Sequence, residues 1–262
     1  MKINTAAILL LSIIFINSYG QNKDKSILVE YNTTRGTIKN SERLISNKNK
    51  AIYITEPLNI RNKHKEIEVD ESTNEIQIRQ KIIKLDKIKY FLQQENNIIY
   101  INQKYKGKSV FVKDSLPNYN WNLIKGETKT INGFVCKKAT LHFRGSDVIA
   151  FYTEEIPISF GPWKFKGLPG LILELYNIND SVVHYSIVRK IIYPYLQPTN
   201  FEIPTEAKII QLKDLILNRE REIKEKMNRL DSRAPKGVTL VKSKFKRVSI
   251  EKIYEWEKDE DK

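Results

Sequence analysis

The sequence predicts a mainly β protein, an antiparallel curved sheet or open barrel with one long helix in the C-terminal half. Three observations carry that prediction. Glu66–Asp70 and Glu75–Arg79 alternate apolar and polar residues strictly, the mark of strands with one wet face. Asn132-Gly133 sits between two β-rich runs, and this pair suits the tight two-residue hairpin because both residues accept positive φ. Helical spacing begins only after Pro204, where Ile209, Leu212, Ile216, Ile223, Met227 and Leu230 share one face.

The strands follow in order. Ile27–Tyr31 is β-rich, and Ala51–Thr55 is stopped by Pro57. The alternating pair is joined by Glu71-Ser72-Thr73-Asn74, which has turn composition, so a hairpin is expected. Ile98–Ile101 and Ser109–Val112 continue the series. Thr128–Ile131, Phe134–Phe143 and Val148–Thr153 then read as a three-strand antiparallel meander, with a second turn at Arg144–Asp147. In the helix, Thr205 is a candidate cap, Leu215 and Leu217 widen the apolar stripe, and 231–237 end it. Packing of that stripe on the chain's own sheet is the simplest reading; docking or membrane-surface contact is the alternative. A further strand from Val238 is possible, followed by a charged tail from Glu255 to Lys262 that is expected to fray.

The first twenty residues have the form of a secretory leader. Lys2 supplies the positive start, Ala6–Ile16 is apolar, and Ser18-Tyr19-Gly20 places small residues before a cut at Gln21. The apolar run is shorter than a bilayer span. The expected organisation is a signal peptide over 1–20, an antiparallel β domain over 21–200, and a helical addition with tail over 201–262. The remaining chain of roughly 240 residues can bury a core without staples. With Cys136 alone, no intrachain disulfide can form, and a buried small apolar role is expected. The net charge of +14 permits anionic partners, but export argues against nucleic acid and the lysines are scattered.

Pro157, Gly161, Pro162, Gly167, Pro169 and Gly170 crowd one short segment. Pro169-Gly170 suits the middle of a type II turn, with Gly170 at positive φ, and Leu168 is pushed extended by the proline after it. Leu171–Tyr176 then reads as a buried strand. Trp163 and Phe165, two apart, point the same way if their segment is extended. Together with Trp121 and Tyr152 they are candidates to line a ligand pocket, with Gly167, Leu168, Pro169 and Gly170 at its rim or as architecture.

The string Gly167–Ile172 reads GLPGLI, and with it the chain resembles the GLPGLI family of exported Bacteroidota proteins. Flanking matches are Asn132–Thr140, Phe143-Arg144-Gly145, Phe151–Ile158 and Gly161–Phe165, so the resemblance covers Trp121 to Tyr176. It implies export and genes near those of outer-membrane receptors. It implies no catalytic residues, because the family's biochemical role is unassigned. The hairpin followed by Ile156-Pro157-Ile158 is also similar to periplasmic lipoprotein carriers, whose open barrel holds acyl chains.

No constellation points to catalysis. His64, His142 and His184 form no close metal pair, and no G-x-S-x-G elbow or phosphate loop occurs. His142 and Cys136 share a strand face if the strand is regular, but lie about 20 Å apart along it. Glu154 and Glu155, as adjacent strand residues, would point to opposite faces. No cofactor and no metal are expected. The expected function is a non-catalytic periplasmic accessory or hydrophobic-ligand carrier serving the outer membrane. The alternatives are a protein-partner subunit of an outer-membrane complex without small ligand, then a hydrolase. Expected partners are outer-membrane receptor or transport proteins, or lipid, with peripheral membrane contact. The expected location is the periplasm, with the outer-membrane surface or full secretion as the alternatives.

Overall fold

A computed structural model describes residues 25–257, except 37, 57–58, 71–74, 85–86, 178–183, 233–246 and 248. The expected leader, the turn at 71–74 and most of the strand expected from Val238 lie outside the described residues.

The strands are β1 (Ser26–Arg35), β2 (Ile38–Ser46), β3 (Lys50–Thr55), β4 (Asn59–Asp70), β5 (Glu75–Lys84), β6 (Ile88–Gln93) and β7 (Ile98–Tyr105). They continue with β8 (Lys108–Ser115), β9 (Asn122–Ile131), β10 (Phe134–Phe143), β11 (Ser146–Thr153), β12 (Leu171–Asn177), β13 (His184–Tyr195) and β14 (Ile209–Gln211). One helix, α1 (Leu212–Ser232), follows. Twelve strands form one sheet in the order β14-β8-β7-β6-β3-β2-β1-β13-β12-β11-β10-β9, and β4 pairs with β5 in a separate hairpin. Among the described residues every pairing is antiparallel except that of β14 with β8. The fold is therefore mainly β, an open sheet with β9 and β14 as its edges and no closed barrel among the described residues.

The expected hairpins have the backbone that their residues require. Asn132 and Gly133 have φ of 51° and 85°, and Arg144 and Gly145 have 46° and 81°. Both pairs are left-handed, as a two-residue turn between right-twisted strands demands. The pairing of β10 with β9 is not regular, and the extra residues lie in β9. The register jumps between Lys137 and Lys138, from Thr128 to Ile124. Cys136 is buried while His142 is exposed, so the two stand in different surroundings along the strand. Glu154 and Glu155 lie in a turn, not on a strand.

The helix begins later than expected. Ile209–Gln211 pair in parallel with Phe111–Lys113 and cover the free edge of β8 before the chain turns helical at Leu212. Leu212 and Leu215 pack into a small core with Ile101, Val110, Val112 and Tyr254. Beyond that first turn the stripe is open, with Ile223 and Met227 each 40% exposed. The tail also differs from expectation. Glu255–Glu257 form a 3-10 turn, and Glu255 bonds Arg144 at 2.9 Å, so an ion pair holds this part of the tail in place.

The principal core includes Val29, Tyr31, Tyr53, Leu92, Ile99, Leu141, Phe143, Phe160, Phe165, Leu168 and Leu173. Three of these, Phe160, Phe165 and Leu168, come from the loop between β11 and β12. The loop therefore contributes side chains to the core that the strands form.

Candidate functional site

The loop carries the expected site residues, and its geometry corrects two expectations. Gly170 is not at positive φ, so Pro169-Gly170 is not the type II turn its composition suggests. The left-handed glycine is Gly167, at φ 96°. Gly170 is needed for a close approach instead. A Cβ there would lie 2.0 Å from Thr153 O, and backbone cannot yield to that contact. Similarly, a Cβ on Gly161 would meet Ile172 at 2.6 Å. Nor is the segment from Trp163 to Phe165 extended. Trp163 has φ 58°, and Phe165 N donates to Pro162 O at 3.2 Å, closing a compact turn.

That turn gathers the rings. Trp163 and Phe165 lie 5.8 Å apart between centroids, Phe165 and Trp121 6.2 Å, and Phe143 and Phe165 5.2 Å. Each such pair contributes about 0.5–1.5 kcal/mol beyond its burial. Trp121 Nε1 donates to Lys166 O at 2.9 Å, fixing the indole to the loop. Tyr152 stands elsewhere, buried on β11 opposite Ile172. Of the residues expected to line a pocket, Trp121, Trp163 and Phe165 meet in one packed cluster. Leu168 is buried, with its carbonyl accepting from Ser159 Oγ at 2.6 Å, while Gly167 and Pro169 reach the surface.

Beside the rings lies a buried ionic cluster that sequence reasoning missed. Arg144 grips Asp114 with two bonds, at 2.8 and 3.1 Å, and bonds Glu251 and Glu255. Lys164 Nζ donates to Asp114 and Glu251, each at 2.7 Å. Asp114 and Arg144 side chains are fully buried. Burial alone would raise the Asp114 pKa, but the Lys164 charge and the Arg144 bonds overcome this and hold it below its usual value. The Lys164 ammonium is held above its usual value, because Glu251 and Asp114 outweigh its desolvation. These charges join β8, the β10–β11 turn, the β11–β12 loop and the C-terminal segment, so they tie together parts of the sheet far apart in strand order.

A signal for Asp114 was present: it has the parity of Val110 and Val112, so β8 points it inward. Arg144 and Lys164 each stand beside aromatics, with Arg144 4.9 Å from the Tyr254 ring and Lys164 4.7 Å from Trp163. Glu251 had no local signal. Lys166, the next cation in the loop, is also buried and donates to Gln93 O at 2.6 Å, Gln94 O at 3.3 Å and Asn96 O. Desolvation pulls its pKa down to about 8.

An accessible cavity opens where the same loop leaves β11. It measures about 690 Å³ and is lined by Ile27, Phe134, Ile156, Pro157, Ile158, Ile191 and Tyr193. The exposed Lys25 and Lys48 border it, with Glu155. Glu155 accepts from Val135 N at 3.1 Å. Ile156 O receives both Ile158 N at 2.8 Å and Leu171 N at 3.0 Å, which fixes the Ile-Pro-Ile wall to β12. Sequence reasoning quoted this wall but could not assemble its partners, which come from β1, β10 and β13.

Among the described residues no group of three metal-binding side chains comes together, and no helix is long and apolar enough to cross a membrane. The model of Porph_ging, a protein family of unknown function, matches residues 142–174, the stretch from the β10–β11 turn through the loop into β12. No curated protein matches the chain. Among solved structures, PNGF-II in a P21 crystal is similar at a TM-score of 0.50 and 13% identity, over 73% of this chain and 32% of that one. A C2 crystal of PNGF-II gives 0.48 at 14%, over 74% and 32%, so this chain spans about a third of PNGF-II. LprF from Mycobacterium bovis gives 0.27 at 10%, over 75% and 96%. The likeness to PNGF-II extends to the fold alone.

Proposed function

We propose that this chain is an exported, non-catalytic envelope protein that binds an apolar ligand in the Ile156–Tyr193 cavity, as a carrier or accessory serving the outer membrane. The observation that carries the reading is the cavity. Its volume of about 690 Å³ lies in the range of small-molecule sites, and its lining is mostly apolar, with Lys25, Lys48 and Glu155 as the charged members. Lys25 and Lys48 at its border favour a ligand with an anionic end, such as a fatty acid. The interior is filled by the loop's own aromatics, so the ligand sits at the rim and not inside the curved sheet. The leader over 1–20, a periplasmic location and membership of the GLPGLI family belong to the same proposal. They are supported by the leader's sequence form and by the literal string at Gly167–Ile172.

The reading is tested by gentle purification from the native host, followed by mass spectrometry of the organic extract. A stoichiometric lipid or fatty acid is expected. An empty protein that also fails to bind added fatty acid contradicts it. One observation favours a protein partner instead: Val135, Tyr193 and Leu196 are 57%, 63% and 84% exposed. Recovery of a stoichiometric protein without lipid would establish that alternative.

A further inference from the structure

The Ile156 cavity opens at one end of the sheet. Ser26 stands opposite Tyr195 and Ile27 opposite Ser46, so the start of β1, the end of β2 and the end of β13 lie side by side. Lys25, Lys48 and Leu196 follow on from these strands past that end. Thr153 stands opposite Leu171 and Tyr152 opposite Lys137, which brings the start of β10 to the same end. Phe134 lines the cavity from there, and its neighbour Val135 donates its N–H to Glu155 Oε1 at 3.1 Å.

Two kinds of side chain surround the mouth. Val135, Tyr193 and Leu196 are exposed apolar or aromatic groups. Lys25 and Lys48 are exposed beside them, and neither has a carboxylate partner among the described residues. Other lysines at this end are neutralised: Lys50 pairs with Glu202, and Lys137 with Glu154 at 2.6 Å. Glu155, the one carboxylate of the lining, is tied to the Val135 backbone.

This combination narrows the occupant. A protein partner would have to cover the lysines together with the apolar groups, and lysine is depleted in such interfaces. A second copy docked two-fold on this face would bring the same lysines together. An anionic lipid surface suits both kinds of group. Tyrosine and apolar side chains enter the boundary between headgroups and acyl chains, while lysines meet the headgroup phosphates. We propose that this end of the sheet docks on an anionic lipid surface, with the cavity mouth against the membrane. The inference rests on the cavity being an apolar-ligand site, and it supplies the ligand's route: an acyl chain passes between bilayer and cavity without crossing water.

The test floats the full exported chain with vesicles of phosphatidylcholine alone, and with vesicles of equal parts phosphatidylcholine and phosphatidylglycerol. Binding to the anionic vesicles is expected to be about tenfold tighter or more, and to weaken with added salt. Leu196→Asp should weaken it about tenfold, and Lys25→Ala combined with Lys48→Ala by about the same factor. All three positions are exposed, so the variants should stay folded by circular dichroism. Lys213→Ala combined with Lys224→Ala, on the exposed face of α1, removes the same charge and should leave binding unchanged. An equal loss in that pair would assign the binding to net charge or to α1 and overturn the proposal. Equal binding to both kinds of vesicle overturns it too, as does binding to neither, which returns the exposed patch to a protein partner. Fatty-acid binding without vesicles is a separate readout, and Leu196→Asp should not change it, because Leu196 does not line the cavity. A chain that docks but takes up no fatty acid refutes the cavity reading alone; one that takes it up but does not dock refutes the docking alone.

Discussion

The loop between β11 and β12 behaves in opposite ways along its length. From Gly161 to Gly170 it is packed: Phe165 and Leu168 are buried, Gly170 touches the β11 backbone, and Lys164 closes an ionic cluster. From Glu154 to Ile158 it borders an open, apolar cavity. The same Ile156 carbonyl that shapes the cavity wall accepts from Leu171 at the start of β12. The buried half therefore fixes the position of the accessible half. The GLPGLI string is architecture, and the chemistry that can meet a ligand lies just before it.

That contrast is broken hardest at Gly170. Gly170→Val places a side chain 2.0 Å from Thr153 O, so loss of soluble, cooperatively folding protein is expected, read by circular dichroism and secretion yield. A well-folded variant would mean that the loop is not locked to β11.

The ionic cluster is the next test. Asp114→Asn leaves Arg144 and Lys164 buried without one of their two shared carboxylates, at a cost of about 3–5 kcal/mol in chemical denaturation. Acid acts on the same group. An unfolded Asp takes its proton near 3.8, while folded Asp114 is held lower by Lys164 and Arg144 in spite of burial. A lowered native pKa means that stabilisation is complete above about pH 5 and is lost as pH falls through the folded value. The wild type should therefore lose stability below about pH 4, and Asp114→Asn should show a shallower acid slope.

Cys136 sharpens the comparison with a smaller effect. It is buried, and burial pushes its thiol up to about 11. A thiol reagent at pH 8 should leave native protein unlabelled and label it on unfolding, at a rate that reports opening of the core around β10.

Much of the sheet was legible in the sequence, for local reasons. Asn132-Gly133 sets its hairpin through backbone conformation alone, and Leu171–Tyr176 declares a buried strand by composition. β2 escaped notice because Lys39, Asn40, Ser41 and Arg43 dilute its apolar residues, and its place is set by pairing with β1 and β3. The site was less legible. Trp121, Trp163 and Phe165 were recognisable as a group, but whether they line a cavity or fill it depends on how far the sheet curls. Gly170 lacks the positive φ expected of it and is needed instead for a close approach to Thr153, 17 residues away in sequence. Glu251 meets Arg144 across 107 residues, a separation that no local pattern encodes.

The central claim, that the accessible half binds an apolar ligand while the packed half only holds it in place, is tested most directly by displacement of a fluorescent anionic fatty acid. Wild type is compared with Ile156→Asp, at protein concentrations where both are folded by circular dichroism. Saturable binding by the wild type and a loss of about tenfold or more in Ile156→Asp, at unchanged melting temperature, is the expected result. Equal binding by both proteins, or none by the wild type, would contradict the account.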